Sequence, residues 1–222
     1  MNKRGQGSFI TIFAVVLIFV IIVLSVLQFR VLREGKPVVF SAMTTILDEP
    51  RSVPAFSLTD HHGNPFTEKD LLKKWTFLYF GYTSCPDVCP TTLGELTGAD
   101  RILRKTPSDI ALPRFAFISV DPERDTKEQL SNYTAYFNPD FLGVTGNAQQ
   151  IRALAQPLGI VYRRSYEDAS KKNYFMDHTA SVLLVNPEGY MHAVMSPPHD
   201  ATSIAKDFRE IVHRFENPPP EK

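Results

Sequence analysis

Short apolar runs separated by polar turns recur along most of the chain and predict alternating strands and helices. Runs of about four to eight apolar residues bounded by turn residues predict buried strands, at 53–58, 75–82, 115–120, 159–163 and 181–185. Longer stretches with apolar residues every three or four positions predict helices, at 91–105, 125–137, 147–155 and 201–215. The turn Asn186-Pro187-Glu188-Gly189 predicts a hairpin into a final strand at 190–195. This order predicts an α/β fold, a thioredoxin-like sandwich in which helices flank a mixed β-sheet.

The N-terminal region has a different pattern, a long apolar run from Ser8 to Phe29 without charge or proline. At 1.5 Å per residue a helix of this length crosses a hydrocarbon core of about 30 Å. A cleavable signal peptide is the alternative, but its apolar region is usually about 7–15 residues and ends in a small-residue cleavage site. We therefore expect one uncleaved N-terminal transmembrane helix.

This anchor divides the chain into five predicted parts. They are a short cytoplasmic segment at 1–7, the anchor at 8–29, a linker at 30–50, the thioredoxin-like domain at 51–216 and a flexible tail at 217–222. The positive charges on the two sides of the anchor nearly balance, so the short N-terminus is the better guide to orientation. We expect a single-pass protein of the bacterial inner membrane, with its soluble domain on the periplasmic side.

Composition excludes few functions, but it argues against nucleic-acid binding. The 222 residues include 24 basic and 24 acidic side chains, which give no net charge and no basic footprint.

Cys85 and Cys89, the two cysteines of the chain, lie between a predicted strand and a predicted helix in the sequence FGYTSCPDVCP. A disulfide across so short a loop would remove little chain entropy, so we interpret the pair as functional. Pro90 suits a first helical turn, which places Cys89 near the positive end of the helix and predicts a stabilised thiolate there. Two soft sulfurs favour Cu(I), zinc or iron–sulfur centres, and in this chain a third ligand must come from another residue type.

Histidine is the obvious third ligand, and His178 is the strongest of six candidates because it lies just before a predicted inner strand. The other five sit in settings typical of surface or structural histidines, at 61, 62, 192, 199 and 213. Met176, Met191 and Met195 are soft donors too, but we expect them to pack in the core.

The sequence FGYTSCPDVCPTTL at 80–93 resembles the signature of the Sco/SenC family of copper-binding, thioredoxin-like assembly proteins. Three further blocks are similar to the family in the same order: FSLTD at 56–60, SVDPERDT at 119–126 and DHTAS at 177–181. The resemblance covers about residues 50–215. It implies copper ligands at Cys85, Cys89 and His178, but assigns no role to residues 121–123.

The resemblance also implies a function. Family members bind Cu(I) and Cu(II) and serve maturation of the dinuclear copper centre in cytochrome c oxidase subunit II. We therefore expect a membrane-anchored metallochaperone whose partners include that subunit, an upstream copper donor and a thiol reductant.

Two alternatives remain open at this point. The same thiols could reduce the cysteines of the oxidase subunit, although thioredoxin-type enzymes generally use C-x-x-C and a facing cis-proline, which residues 177–181 lack. A copper or redox signalling role is the other alternative, and no peroxide pocket with a nearby arginine is recognisable. The sequence therefore favours a metallochaperone over an enzyme.

Overall fold

The computed structural model describes residues 4–33, 40–106, 110–166 and 173–218. The chain forms two compact units, residues 1–39 and 40–222. The first contains helix α1, Arg4–Arg33. Within the described residues of the second there are ten strands: β1 Thr44–Ser52, β2 Ser57–Asp60, β3 Pro65–Thr67, β4 Thr76–Gly81, β5 Arg114–Ser119, β6 Leu142–Thr145, β7 Tyr162–Tyr166, β8 Tyr174–His178, β9 Val182–Val185 and β10 Tyr190–Met195. Its helices are a short 3-10 turn at Glu68–Leu71, α2 Val88–Lys105, α3 Lys127–Phe137, α4 Ala148–Ala155 and α5 Ala201–Glu216.

In the part of the chain that the structure describes, eight of these strands form one mixed sheet in the order β1-β10-β9-β4-β5-β6-β2-β3. Strands β4, β5 and β6 are parallel, whereas β9, β10 and β1 continue the sheet antiparallel on the other side of β4. Every residue of β4 is buried, as expected of a central strand covered on both faces. Helix α2 packs beside α5, and α3 packs against β6. The predicted thioredoxin-like α/β fold, with helices flanking a mixed sheet, is confirmed.

Strands β7 and β8 form a separate two-stranded ribbon rather than part of the main sheet. Tyr162 at the start of β7 is paired with His178 at the end of β8. One face of β8 presents Tyr174, Met176 and His178, which are at least partly buried, while Phe175 and Asp177 are exposed. The ribbon therefore holds His178 toward the body of the domain.

The structure differs from the sequence-based boundaries mainly at the strands. Strand β1 begins inside the segment predicted as a linker, extends two residues past its end at residue 50, and pairs with β10 at the edge of the sheet. Its sequence, TTILDEPRS, contains a proline and lacks alternating apolar residues, so the pattern gave no strand signal. The strands predicted at 53–58 and 159–163 begin later, at Ser57 and Tyr162.

Helix α1 includes the apolar run predicted as an anchor, and its side chains at 13–26 are exposed. Among the residues that the structure describes, no helix is long and apolar enough to cross a membrane. The tail beyond residue 218 lies outside the described residues, as does the predicted N-terminal segment up to residue 3.

Candidate metal centre

The two cysteines lie where strand β4 turns into helix α2. Cys85 is half-buried in the connecting loop, and Cys89 is fully buried in the first helical turn. Asp87 is the N-cap residue, yet its side chain makes no capping hydrogen bond. Instead, the main-chain N–H of Cys89 donates to the Cys85 sulfur at 3.4 Å. The sulfur thus accepts one of the N–H groups that a helix N-terminus leaves without an intrahelical partner.

His178 approaches the pair from the end of the β7–β8 ribbon. Its Nδ1 is 3.0 Å from the main-chain carbonyl of Thr179, which can only accept, so Nδ1 carries the hydrogen. In the neutral ring this leaves the lone pair on Nε2, which lies 3.4 Å from the Cys89 sulfur. The hydrogen bond on the far side of the ring therefore orients Nε2 as a ligand atom.

The side chains of Cys85, Cys89 and His178 lie close enough together to bind one metal ion. Their potential ligand atoms all lie within 4.8 Å of one another. A thiolate sulfur lies about 2.3 Å from a bound zinc ion, so two sulfurs on one such ion are at most about 4.6 Å apart. The set of two sulfurs and one imidazole nitrogen therefore fits a single soft or borderline ion after small adjustments.

The two thiols have opposite electrostatic environments. The hydrogen bond from the Cys89 thiol lowers the pKa of Cys85 to about 4, against the effect of partial burial. The same interaction with Cys85, followed by burial, raises the pKa of Cys89. The expectation that Cys89 is the stabilised thiolate is therefore wrong, because it is the Cys85 sulfur that receives the helix N–H and the neighbouring thiol hydrogen.

Gly81, the last residue of β4, leaves the space that Cys89 occupies. A Cβ atom at this position would lie 2.7 Å from the Cys89 sulfur and 2.7 Å from Cε2 of Phe117. Real Cβ atoms do not approach that closely, so a side chain at residue 81 would displace the thiol or the ring.

Asp125 fixes the loop that carries Cys85. Its buried carboxylate accepts hydrogen bonds from the Thr83 N–H at 3.1 Å and the Thr83 hydroxyl at 2.6 Å. It also accepts from the Ser119 hydroxyl at 2.6 Å. Burial raises the pKa of Asp125, while these hydrogen bonds oppose the rise. The loop after β5 thus holds the loop after β4.

Asp121 fixes the ribbon that carries His178. Its carboxylate, only 1% exposed, pairs with Arg124 and accepts from the Tyr174 hydroxyl at 3.0 Å. Arg124 donates to the Tyr174 carbonyl at 3.0 Å and stacks on the Tyr174 ring, 3.8 Å from its centroid. Asp121 and Asp125 therefore support opposite sides of the candidate site from one short segment.

Sequence reasoning assigned no role to residues 121–123 and did not identify Asp125. One signal was available, because the cysteine loop and this acidic segment follow strands β4 and β5, which are parallel neighbours. The carboxyl ends of parallel strands meet at the same edge of a sheet. Pairing the two predicted strands as parallel neighbours would have brought these two segments together.

Other candidate donors have partners of their own or pack in the core. His61 Nδ1 accepts the Gly143 N–H at 3.0 Å, which places its hydrogen on Nε2, 2.9 Å from His62 Nε2. His192 packs edge-on against Trp75. The three methionines at 176, 191 and 195 are buried in the hydrophobic core, as predicted.

Comparison with known proteins agrees with this arrangement. Mitochondrial SCO1 homolog 1 of Arabidopsis thaliana is 39% identical over 161 residues, which are 72% of this chain and 47% of that protein. This chain therefore spans about half the length of that relative. An Arabidopsis ScoI structure with copper bound has a TM-score of 0.67 at 34% identity, covering 72% of this chain and 98% of the other. Yeast Sco1 with copper bound also has a TM-score of 0.67, at 29% identity, covering 77% and 92%. The SCO1/SenC family model matches residues 45–213, and the chain belongs to that family.

Proposed function

We propose that this protein carries copper on Cys85, Cys89 and His178 and assists assembly of the dinuclear copper centre of cytochrome c oxidase subunit II. The observation that carries the proposal is the convergence of the three ligand atoms within 4.8 Å. Copper-bound structures of family relatives agree with copper as the cargo.

The donor set suits both oxidation states of copper. Thiolate sulfurs select Cu(I), and imidazole nitrogen is a good ligand for Cu(II). The pKa of Cys85, lowered to about 4, makes one thiolate available at neutral pH without metal. Cys89 must lose its proton when it becomes a ligand, so loading releases protons and weakens in acid.

Copper titration of the full-length protein tests the site. Wild type should bind one Cu(I) and one Cu(II) in separate experiments, and Cys85→Ser, Cys89→Ser and His178→Ala should each weaken binding strongly. His213→Ala, at an exposed position of α5, is the matched control and should bind like wild type. Unchanged binding in His178→Ala would show that the site is assigned wrongly.

Delivery to the oxidase rests on the family resemblance and needs a cellular test. A deletion strain should lose oxidase activity under copper limitation and regain part of it with added copper. Complementation with His178→Ala should fail. Normal oxidase activity in the deletion strain under copper limitation would contradict the assembly role.

We further propose that the soluble domain is anchored to the outer face of the bacterial inner membrane. The uncharged run at 8–29 within helix α1, with exposed apolar side chains such as Phe13 and Phe19, supports this. The protein should remain in membranes after carbonate extraction, and protease added to spheroplasts should digest the domain. Release by carbonate would contradict anchoring.

A thiol–disulfide reductase is the second candidate, favoured by the contrast between the two thiols. Cys85 is half-buried with a lowered pKa, as suits an attacking thiolate, and the buried Cys89 is placed to resolve a mixed disulfide. Attack by Cys85 on a substrate disulfide followed by attack of Cys89 would reduce the substrate by two electrons and leave a Cys85–Cys89 disulfide. Catalysed reduction of an oxidised oxidase subunit by metal-free protein, lost in Cys85→Ser, would favour this role.

A further inference from the structure

We infer that His199 is a positioning residue for the ligand His178, acting through the Thr179–Ala180 main chain. This inference rests on the proposed copper site. His199 lies 21 residues beyond His178, in the loop that leads into helix α5.

Two histidines bind consecutive carbonyl groups in this segment. His178 Nδ1 donates to the Thr179 carbonyl at 3.0 Å, and His199 Nε2 donates to the Ala180 carbonyl at 3.0 Å. The first bond sets the direction in which His178 Nε2 points. The second holds the next peptide unit, so His199 restrains the carbonyl on which the orientation of His178 depends.

Thr179 is also hydrogen-bonded to Val161, the residue that precedes strand β7. Its N–H donates to the Val161 carbonyl at 2.9 Å, and its hydroxyl accepts the Val161 N–H at 3.0 Å. These bonds hold the start of the segment, whereas Ala180 is held by His199. Loss of the His199 bond would leave the two carbonyls free to rotate together away from the His178 ring.

His199 is itself held by contacts that lead to the helix bearing Cys89. The Asp200 side chain caps α5 by accepting the Ser203 N–H at 2.7 Å. The Ala201 N–H donates to Glu95 of α2 at 2.8 Å. The position of His199 is therefore fixed with respect to α2. Through its bond to Ala180, His199 connects the segment that carries His178 to the helix that carries Cys89.

The position of the donor atom in His199 suggests which substitution should keep the hydrogen bond to Ala180. The Ala180 carbonyl can only accept, so His199 Nε2 carries the hydrogen, and Nδ1 is buried without a partner among the described residues. A glutamine side-chain nitrogen reaches about as far as Nε2, whereas an asparagine nitrogen reaches only about as far as Nδ1. Glutamine should keep the bond to Ala180, and asparagine should lose it.

The consequence for copper follows from the tautomer of His178. Without a fixed Thr179 carbonyl, the form with hydrogen on Nε2 becomes populated, and that form cannot offer Nε2 to a metal. Outer hydrogen-bond partners of metal-binding histidines typically change affinity about 10- to 100-fold when mutated. We expect His199→Ala and His199→Asn to weaken Cu(II) binding about 10-fold, and His199→Gln to remain within about threefold of wild type.

The experiment compares these three variants in the full-length protein, with His213→Gln as the surface control. Imidazole nitrogen NMR of metal-free protein measures the His178 tautomer, and electron paramagnetic resonance of the Cu(II) form measures its ligand geometry. Both readouts should shift in His199→Ala and His199→Asn, and both should be restored in His199→Gln. If the variants acted only by a general loss of packing, His199→Gln would not restore the two readouts while His199→Asn left them shifted.

Failure of the two proposals would look different. Wild-type protein that binds no copper would overturn the copper site, whereas the NMR comparison of metal-free variants would still decide whether His199 orients His178. Copper binding in wild type with the same tautomer, spectrum and affinity in His199→Ala would overturn the positioning role alone.

Discussion

The main-chain N–H of Cys89 donates a hydrogen bond to the sulfur of Cys85 at 3.4 Å, while the capping side chain at Asp87 makes none. Three residues lie between the two cysteines, so the sulfur of one caps the helix in which the other is buried. The conformation of this loop therefore produces two unequal thiols, one stabilised as an anion and one kept protonated in the metal-free protein.

This inequality predicts how the metal-free protein reacts with alkylating agents. The iodoacetamide reaction of Cys85 should rise with pH through a midpoint near 4, far below the usual thiol value of about 8.5. At pH 7 the rate should already be on its plateau. Cys89→Ala should raise the midpoint, because the Cys89 thiol is the largest cause of the lowered pKa. A wild-type midpoint near the usual value would contradict the thiolate assignment.

Gly81 and Gly94 provide a matched pair of substitutions. Gly81→Ala places a methyl group 2.7 Å from the Cys89 sulfur, and we expect it to lower the free energy of unfolding by about 1–3 kcal/mol and to weaken copper binding. Gly94→Ala, in the interior of α2, meets no atom within 4 Å and should raise stability by up to about 1 kcal/mol. Urea denaturation measures the free energy of unfolding of both variants. Equal effects at the two positions would show that the close packing under Cys89 is not the cause.

The sequence identified the residues of the candidate site more fully than the contacts that position them. Cys85 and Cys89 lie in one turn between predictable elements, and His178 lies shortly before the inner strand β9. The thiolate was placed on the wrong cysteine because the loop conformation, rather than the spacing, decides which sulfur meets the helix N–H groups. The support from Asp125 was not predictable from local patterns, since its partner Thr83 lies 42 residues away on another loop.

The fold shows the same limit at its edges. Central strands such as β4 are continuous apolar runs, which sequence patterns detect easily. Edge strand β1 is mostly polar and exposed, and pairing with β10 rather than its own composition makes it a strand. Strand β8 has a mixed pattern because only one of its faces meets the domain.

Asp125 and Asp200 should give opposite trends of stability with pH. Burial raises the folded-state pKa of Asp125, so its contribution to the free energy of unfolding is largest in acid and falls as pH rises through the raised value. The folded-state pKa of Asp200 is lowered by its bonds to Ser203, so its contribution is present above the unfolded value, about 3.9, and falls on acidification.

Urea denaturation between pH 3 and pH 7 can compare each aspartate with its asparagine variant. The stability advantage of wild type over Asp125→Asn should grow as pH falls, and the advantage over Asp200→Asn should shrink. Both substitutions remove an aspartate carboxyl group. Opposite pH trends of the stability difference therefore reflect the different environments of the two carboxylates. Parallel trends would contradict the contrast between the buried and the exposed carboxylate.

Tyr174→Phe tests whether the β7–β8 ribbon depends on Asp121. The substitution removes the hydroxyl that donates to the buried Asp121 carboxylate at 3.0 Å but keeps the ring on which Arg124 stacks. Loss of a hydrogen bond to a charged, buried acceptor should lower the free energy of unfolding by about 1.5–3 kcal/mol. Hydrogen exchange should accelerate in the β8 amides and much less in β4, and copper binding should weaken because His178 ends the ribbon.

Arg163→Gln is the control on the same ribbon. Arg163 pairs with Asp177 on the outer face, where the two side chains are 80% and 50% exposed, and such surface pairs contribute at most about 1 kcal/mol. In Arg163→Gln, the hydrogen-exchange rates of the β8 amides should stay close to those of wild type. If Arg163→Gln opened the ribbon as much as Tyr174→Phe, exposed pairing rather than the buried Asp121 contact would hold His178 in place.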